Sequence, residues 1–136
     1  MDSLQVRTGQ VSLRILDDAG MERGIFKFNP EDIESAKRVV AIQDELDAKG
    51  EEFEIKRANC KSQKEEVGLL EEIVDYFRGL VDNCFGEGTS NLVFGDAKSL
   101  TMFSDFFEGI TPYYQEASKK RMEKYAKYTK PSKAKK

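Results

Sequence analysis

The segment from Ser62 to Phe85 carries the clearest helical periodicity in the chain. Its apolar side chains recur at steps of three and four residues, which is the spacing of one face of an α-helix. They are Val67, Leu70, Val74, Phe77, Val81 and Cys84, and the stripe is widened by Leu69, Ile73 and Leu80. Because a face this broad contacts more than one neighbour, we expect this helix to be central to the core, with Gly86 and Gly88 ending it.

The preceding helix has a strong start signal and an ambiguous end. Asn29 is predicted as its N-cap and Pro30 as its first residue, with acidic residues in the first turn where they complement the helix dipole. An apolar stripe continues to Leu46. Gly50 either ends this helix or lies within a longer one that runs on past Phe53. Within a helix, glycine is less stable than Ala by ~1 kcal/mol. The sequence leaves both readings open.

The C-terminal third is predicted to hold a short connection and two helices. The segment from Thr89 to Phe94 is apolar enough to pack against the other helices. A helix then begins at Asp96 or Ser99. Thr111 and Pro112 are predicted to start the last helix, as its N-cap and first residue.

The first 28 residues read as β structure. Val11, Leu13 and Ile15 alternate with other side chains, a turn follows at Asp17–Gly20, and a β-prone run then continues to residue 28. This pattern predicts a β-hairpin. A third short strand over Leu4 to Arg7 is a weaker prediction.

The expected fold class is therefore α+β, with an N-terminal β-hairpin followed by a bundle of about four α-helices and a disordered basic C-terminal tail. The predicted boundaries are 1–28 for the hairpin, 29–128 for the helical bundle and 129–136 for the tail. A chain of 136 residues corresponds to one domain of ordinary size.

The composition argues against an enzyme. There is no histidine, which removes the commonest general base and the commonest metal ligand. The glycine-containing segments lack the spacing of a phosphate-binding loop, and the carboxylates fit no calcium-loop template. The two cysteines, Cys60 and Cys84, are expected to pack as small apolar groups. We therefore predict no catalytic, cofactor-binding or metal-binding residues.

Charge divides the chain into two parts. Residues 118–136 hold nine Lys and Arg against one Glu, a balance of +8, whereas the remaining residues have a balance of −11. A basic end of this kind either keeps a terminus soluble and mobile or binds an acidic partner or nucleic acid.

Six aromatic residues are concentrated within 21 positions, at Phe94, Phe103, Phe106, Phe107, Tyr113 and Tyr114. One interpretation is that they fill the core, since helical spacing accounts for several of them. The other is that some lie on a surface and bind a partner, because exposed aromatics are common interface anchors. The two interpretations are compatible. We name all six as candidate partner-binding residues and expect Tyr113 and Tyr114 to be the most exposed.

Two segments within residues 92–114 carry a family resemblance. The first reads Leu92-Val93-Phe94-Gly95-Asp96-Ala97, and the second runs from Phe103 through Phe106-Phe107-Glu108 to Pro112-Tyr113-Tyr114. Together with Cys84-Phe85-Gly86, they resemble the C-terminal half of small tail assembly chaperones of long-tailed bacteriophages and prophages of Gram-positive bacteria. The resemblance covers roughly residues 30 to 128, and the N-terminal hairpin lies outside it.

The resemblance implies a non-enzymatic protein that keeps the long, helical tape measure protein soluble and recruits tail tube protein while the tail is built. These two proteins are the expected partners, with homo-oligomers as a further possibility. No apolar run approaches the roughly 20 residues that cross a bilayer, and the N-terminus has no signal-peptide pattern. We therefore expect no membrane association and a location in the bacterial host cytoplasm. The alternative function is a small nucleic-acid-binding protein that uses the Lys-rich C-terminal tail.

Overall fold

The computed structural model describes residues 1–129 as a β-hairpin followed by helices, which confirms the α+β fold class. The elements are β1 (Val11–Leu16), β2 (Glu22–Phe28), α1 (Ile33–Ala58), α2 (Gln63–Phe85), α3 (Thr89–Phe94) and α4 (Leu100–Thr129). The bundle thus has four helices within these residues. Most of the predicted tail, residues 130–136, lies outside the described residues.

The β-hairpin forms as predicted. β1 and β2 pair antiparallel, with Val11 opposite Phe28 and Leu13 opposite Phe26. The Asp17 carboxylate accepts hydrogen bonds from the backbone N–H groups of Ala19 and Met21, both at 2.9 Å, and so stabilises the turn. Residues 4–7 are exposed and pair with neither strand, so the weaker prediction of a third strand is wrong.

Helix α1 begins three residues later than predicted. Its N-cap is Asp32, whose carboxylate accepts a hydrogen bond from the Ser35 N–H at 3.0 Å. Asn29 instead caps a separate turn, since its side-chain oxygen accepts from the N–H groups of Glu31 and Asp32. Pro30 is buried in that turn. Asn29 and Pro30, which were predicted to start the helix, therefore belong to the turn that precedes α1.

Gly50 lies within α1, which settles the alternative left open by the sequence. The helix runs through it to Ala58 and buries Ile42 and Phe53. A side chain added at Gly50 would meet no heavy atom within 4 Å. The glycine therefore leaves an open space beside α1.

Helix α2 matches its prediction closely, with Ser62 as N-cap and Phe85 as last residue. Buried side chains lie along α2 from Leu69 to Cys84, and Val81 is fully buried. The predicted packed connection is the six-residue helix α3. Its N-terminus is fixed by Asp82 of α2, whose carboxylate accepts from the N–H and the hydroxyl of Ser90 at 2.7 and 3.0 Å.

The side chain of Arg78 fixes the segment that leads into α4. Its guanidinium donates to the carbonyl oxygens of Gly95 and Ala97 at 2.7 and 2.6 Å. Ser99 then accepts a hydrogen bond from the Thr101 N–H at 3.2 Å, as expected of a residue that precedes a helix. Together with the Lys98–Glu71 ion pair, these contacts place the start of α4 beside residues 67–74, in the first half of α2.

Helix α4 is one continuous helix of 30 residues with Pro112 inside it, so the predicted break at Thr111 is wrong. Proline removes one backbone hydrogen bond and disfavours a helix interior by ~3 kcal/mol. Packing on both sides of the proline outweighs that effect, because Ile110 and Ala117 are both buried. The Thr111 hydroxyl donates to the Phe107 carbonyl at 2.6 Å instead of capping a new helix.

The hairpin and the helices share one core. Its buried members come from β2, α2, α3 and α4, namely Phe26, Phe28, Val74, Val81, Phe94, Phe103, Phe106 and Ile110. A smaller cluster of Ile42, Leu80 and Cys84 joins α1 to α2. The two strands of the hairpin therefore pack in the same core as the helices.

We predict that Pro112→Ala stabilises the protein by about 1–3 kcal/mol, because alanine restores a backbone donor in the interior of α4. Urea denaturation followed by circular dichroism measures this difference. If a helix began at Thr111, the same substitution at its first turn would leave the stability nearly unchanged.

Candidate partner-binding surface

The six aromatic residues proposed for partner binding fall into two groups. Phe94, Phe103 and Phe106 are buried, with 3%, 3% and 7% of their surface exposed. The ring of Phe94 lies 4.8 Å from that of Phe103 and 5.6 Å from that of Phe106, in edge-to-face geometry. These three residues are core residues, and as folded they offer no surface to a partner. Their proposed role in binding is corrected accordingly.

Phe107, Tyr113 and Tyr114 form the other group, and two of them, Phe107 and Tyr114, line an open groove between α1 and α4. This α1–α4 groove has a volume of about 240 Å³ and is lined by Val39, Phe107, Ile110, Thr111, Tyr114, Gln115 and Ser118. Its floor is apolar, and its rim carries small polar side chains. It is a surface on which an apolar side chain from another polypeptide can be buried.

The phenol of Tyr114 is fixed at one end of this groove. Its oxygen lies 2.7 Å from the Ser35 hydroxyl of α1, which is hydrogen-bond distance. Burial raises the pKa of Tyr114, so its hydroxyl stays protonated at neutral pH and can donate this bond. The hydrogen bond joins α1 to α4, and the Tyr114 ring stacks on Phe28 of β2 at 5.9 Å.

Tyr113 lies on another side of α4, since successive helical residues are about 100° apart around the axis. It is 38% exposed, and its ring packs edge-on against Phe28 at 5.7 Å. Of the two residues expected to be most exposed, Tyr113 is exposed and Tyr114 is half-buried.

A second groove was not anticipated from the sequence. It lies between α1 and α2 at the end far from the β-hairpin, has a volume of about 320 Å³, and is named the distal groove here. It is lined by Gly50, Phe53, Glu54, Arg57, Glu66, Leu69, Leu70 and Ile73. The sequence signals were the unusually broad apolar face of α2 and Gly50, but only the packing of α1 against α2 shows that the two helices form a groove.

A cavity of about 470 Å³ between β1, α3 and the start of α4 carries charges of both signs. Arg14 and Arg23 lie on its wall together with Asp18 and Asp105. Both arginines are exposed to solvent. The mixed charges and the absence of buried polar groups give this cavity no preference for one class of ligand.

Within residues 1–129, no group of three or more His, Cys, Asp or Glu side chains is placed to hold a metal ion. Cys60 and Cys84 are free thiols, and burial raises the pKa of Cys84 to about 11, which keeps it protonated and weakly nucleophilic. None of the helices in this part of the chain combines the length and apolar character needed to cross a bilayer.

Residues 22–136 match the model of a family of unknown function, DUF6673, and the chain belongs to this family. The match begins at β2 and covers all the helices. Searches of curated proteins and of solved structures found no match.

The division of the aromatic residues leads to a stability prediction. Phe103→Ala removes a buried ring and is expected to destabilise the protein by about 3–5 kcal/mol. Tyr113→Ala removes a partly exposed ring and is expected to cost less than about 1.5 kcal/mol. Chemical denaturation of both variants measures the difference, and equal losses would contradict the assignment of Phe103 to the core.

Proposed function

We propose that this member of the DUF6673 family is a non-catalytic assembly chaperone of long-tailed bacteriophages or prophages. In this role it binds the tape measure protein and tail tube subunits while the tail is built. The observation that carries the proposal is the apolar α1–α4 groove, which lies within the segment that resembles the known chaperones. Phe107 and Tyr114, two of the residues in that segment, line it.

The shape of the groove suits an amphipathic helix. Helix-in-groove binding places apolar side chains of one helix, spaced at three and four residues, into a hydrophobic channel between two others. Val39 on one wall and Phe107 on the other provide such a channel, and Val40 beside it is 68% exposed. The tape measure protein, described through the family resemblance as long and helical, is a source of such helices.

The charge of the chain supports the same role. Apart from residues 118–136, the chain has a balance of −11. Like-charged complexes repel one another, so an acidic protein that covers an apolar helix also keeps the complex dispersed. On this proposal, the protein acts in the cytoplasm of the bacterial host during phage assembly.

A substitution at the groove rim tests this proposal. Ser118→Arg places a long charged side chain over the α1–α4 groove at an exposed position and is expected to weaken binding of the tape measure protein at least about 10-fold. The matched control is Gly109→Arg on the far side of α4, where an added side chain meets no heavy atom within 4 Å. The readouts are the soluble yield and the co-purification of the tape measure protein encoded by neighbouring genes.

The wild-type protein and the Gly109→Arg variant are both expected to raise the soluble yield of the tape measure protein. A wild-type protein that neither raises this yield nor co-purifies with the tape measure or tail tube protein would contradict the proposed function. Equal activity of the Ser118→Arg variant would instead contradict the assignment of the α1–α4 groove.

A further inference from the structure

The last turns of α4 extend away from the rest of the molecule. Among residues 1–129, the final hydrogen bonds from α4 to another element come from Arg121, whose guanidinium donates to the carbonyl oxygens of Pro30 and Glu31 at 3.3 Å. Every residue from Met122 to Thr129 is exposed. We name Lys119–Thr129 the basic arm.

The basic arm is amphipathic. Met122, Tyr125 and Tyr128 follow one another at steps of three and are 63%, 61% and 80% exposed. The arm holds five Lys and Arg and one Glu, a net charge of +4. Most of the stability of a helix in a protein comes from packing of its apolar face, and within the described residues this face is uncovered. The arm therefore has the composition of a helix whose apolar face packs against another surface.

The distal groove matches the fully exposed part of this arm, Met122–Thr129, in length and in polarity. Residues 50–57 of α1 and 66–73 of α2 span its two walls, each about 10 Å long, which is also the length of the segment from Met122 to Thr129. The floor of the groove is formed by Phe53, Leu69, Leu70 and Ile73, so it offers apolar surface to the three exposed side chains of the arm.

The charges of the two surfaces are opposite. Residues 47–73, which form the end of the molecule around the distal groove, hold eight carboxylates and five basic side chains, a net charge of −3. Glu66 on the groove wall makes no ion pair within residues 1–129. The lining itself carries Glu54, Arg57 and Glu66, a net charge of −1, so a basic helix that enters the groove meets a weakly acidic rim.

A chain cannot place its arm in its own groove. The arm leaves the molecule beside the start of α1, because Arg121 contacts Pro30 and Glu31. The groove begins at Gly50, about 25 Å further along α1 from Ile33. The arm and the groove thus lie at opposite ends of the molecule.

We propose that the basic arm of one copy of this protein docks in the distal groove of a second copy. The contact is heterologous, because the two copies use different surfaces, and its repetition produces head-to-tail rings or chains. This inference does not depend on the proposed chaperone function, since neither surface overlaps the α1–α4 groove.

Arginine substitutions at two glycines test the groove. Gly50→Arg fills the distal groove and adds a positive charge to it, while the fold has room for the side chain. Gly68→Arg is the matched control, since it makes the same change in α2 at a position with equally open space that does not line the groove. Sedimentation velocity over a range of concentrations is expected to show that the wild type associates. The association constant is expected to be at least about 10-fold lower in Gly50→Arg and within about twofold of the wild-type value in Gly68→Arg.

Mixing tests the head-to-tail geometry. Tyr125→Glu disables the arm but leaves the groove intact, whereas Gly50→Arg disables the groove but leaves the arm intact. At concentrations where the wild type associates, each variant alone is expected to be mostly monomeric, and an equimolar mixture is expected to form a 1:1 dimer that goes no further. Added salt is expected to weaken the wild-type assembly, because opposite charges contribute to it.

Three outcomes would overturn the proposal. The first is a wild-type protein that stays monomeric at all concentrations. This includes the case in which the monomer binds single-stranded DNA through its arm, so that Tyr125→Glu abolishes DNA binding. The second is an assembly that neither variant weakens. The third is a mixture of the two variants that remains monomeric, which would indicate a symmetric interface.

Discussion

The aromatic cluster around Phe26 determines how the rest of the molecule is arranged. A two-stranded hairpin is marginally stable on its own in water, so this hairpin depends on what its apolar face contacts. The Phe26 ring packs against Phe85 at 5.3 Å and Phe106 at 5.4 Å, and Phe94 packs against Phe106 in turn. One set of rings therefore joins β2 to α2, α3 and α4 and fixes where α4 crosses α2.

Apolar surface remains uncovered at both ends of the molecule. Leu100 at the start of α4 lies beside Val67 and Leu70 of α2, whereas the distal groove lies between α2 and the last turns of α1 and is lined by those two helices. At the opposite end, α4 continues past its last buried residue, Ala117, and becomes the basic arm. The α1–α4 groove lies between these ends of the molecule, on the side of α4 that carries Phe107.

The sequence predictions were accurate where short-range interactions decide the structure and less accurate where packing between elements decides it. The bounds of α2 and the turn of the hairpin were correct because Ser62, Gly86 and Asp17 act on backbone groups a few residues away. Pro112 was misread because its local preference is outweighed by packing of Ile110 and Ala117 on either side. Asn29 was misread because it caps a turn that resembles the start of a helix.

The candidate site depended on longer-range contacts, which periodicity does not specify. Helical spacing placed Phe103 and Phe106 on one face, but only the position of α1 shows that Phe107 borders a groove. The distal groove depends on how the last turns of α1 pack against the first turns of α2, and no local pattern encodes that packing.

The central claim is that the protein acts by burying apolar side chains of another polypeptide in its own surface grooves. Hydrogen exchange with and without the tape measure protein tests this claim most directly. We predict slower exchange in the peptides that contain Val39 and residues 107–118, with β1 unchanged. Identical exchange in both samples, or protection confined to the β-hairpin, would contradict the claim.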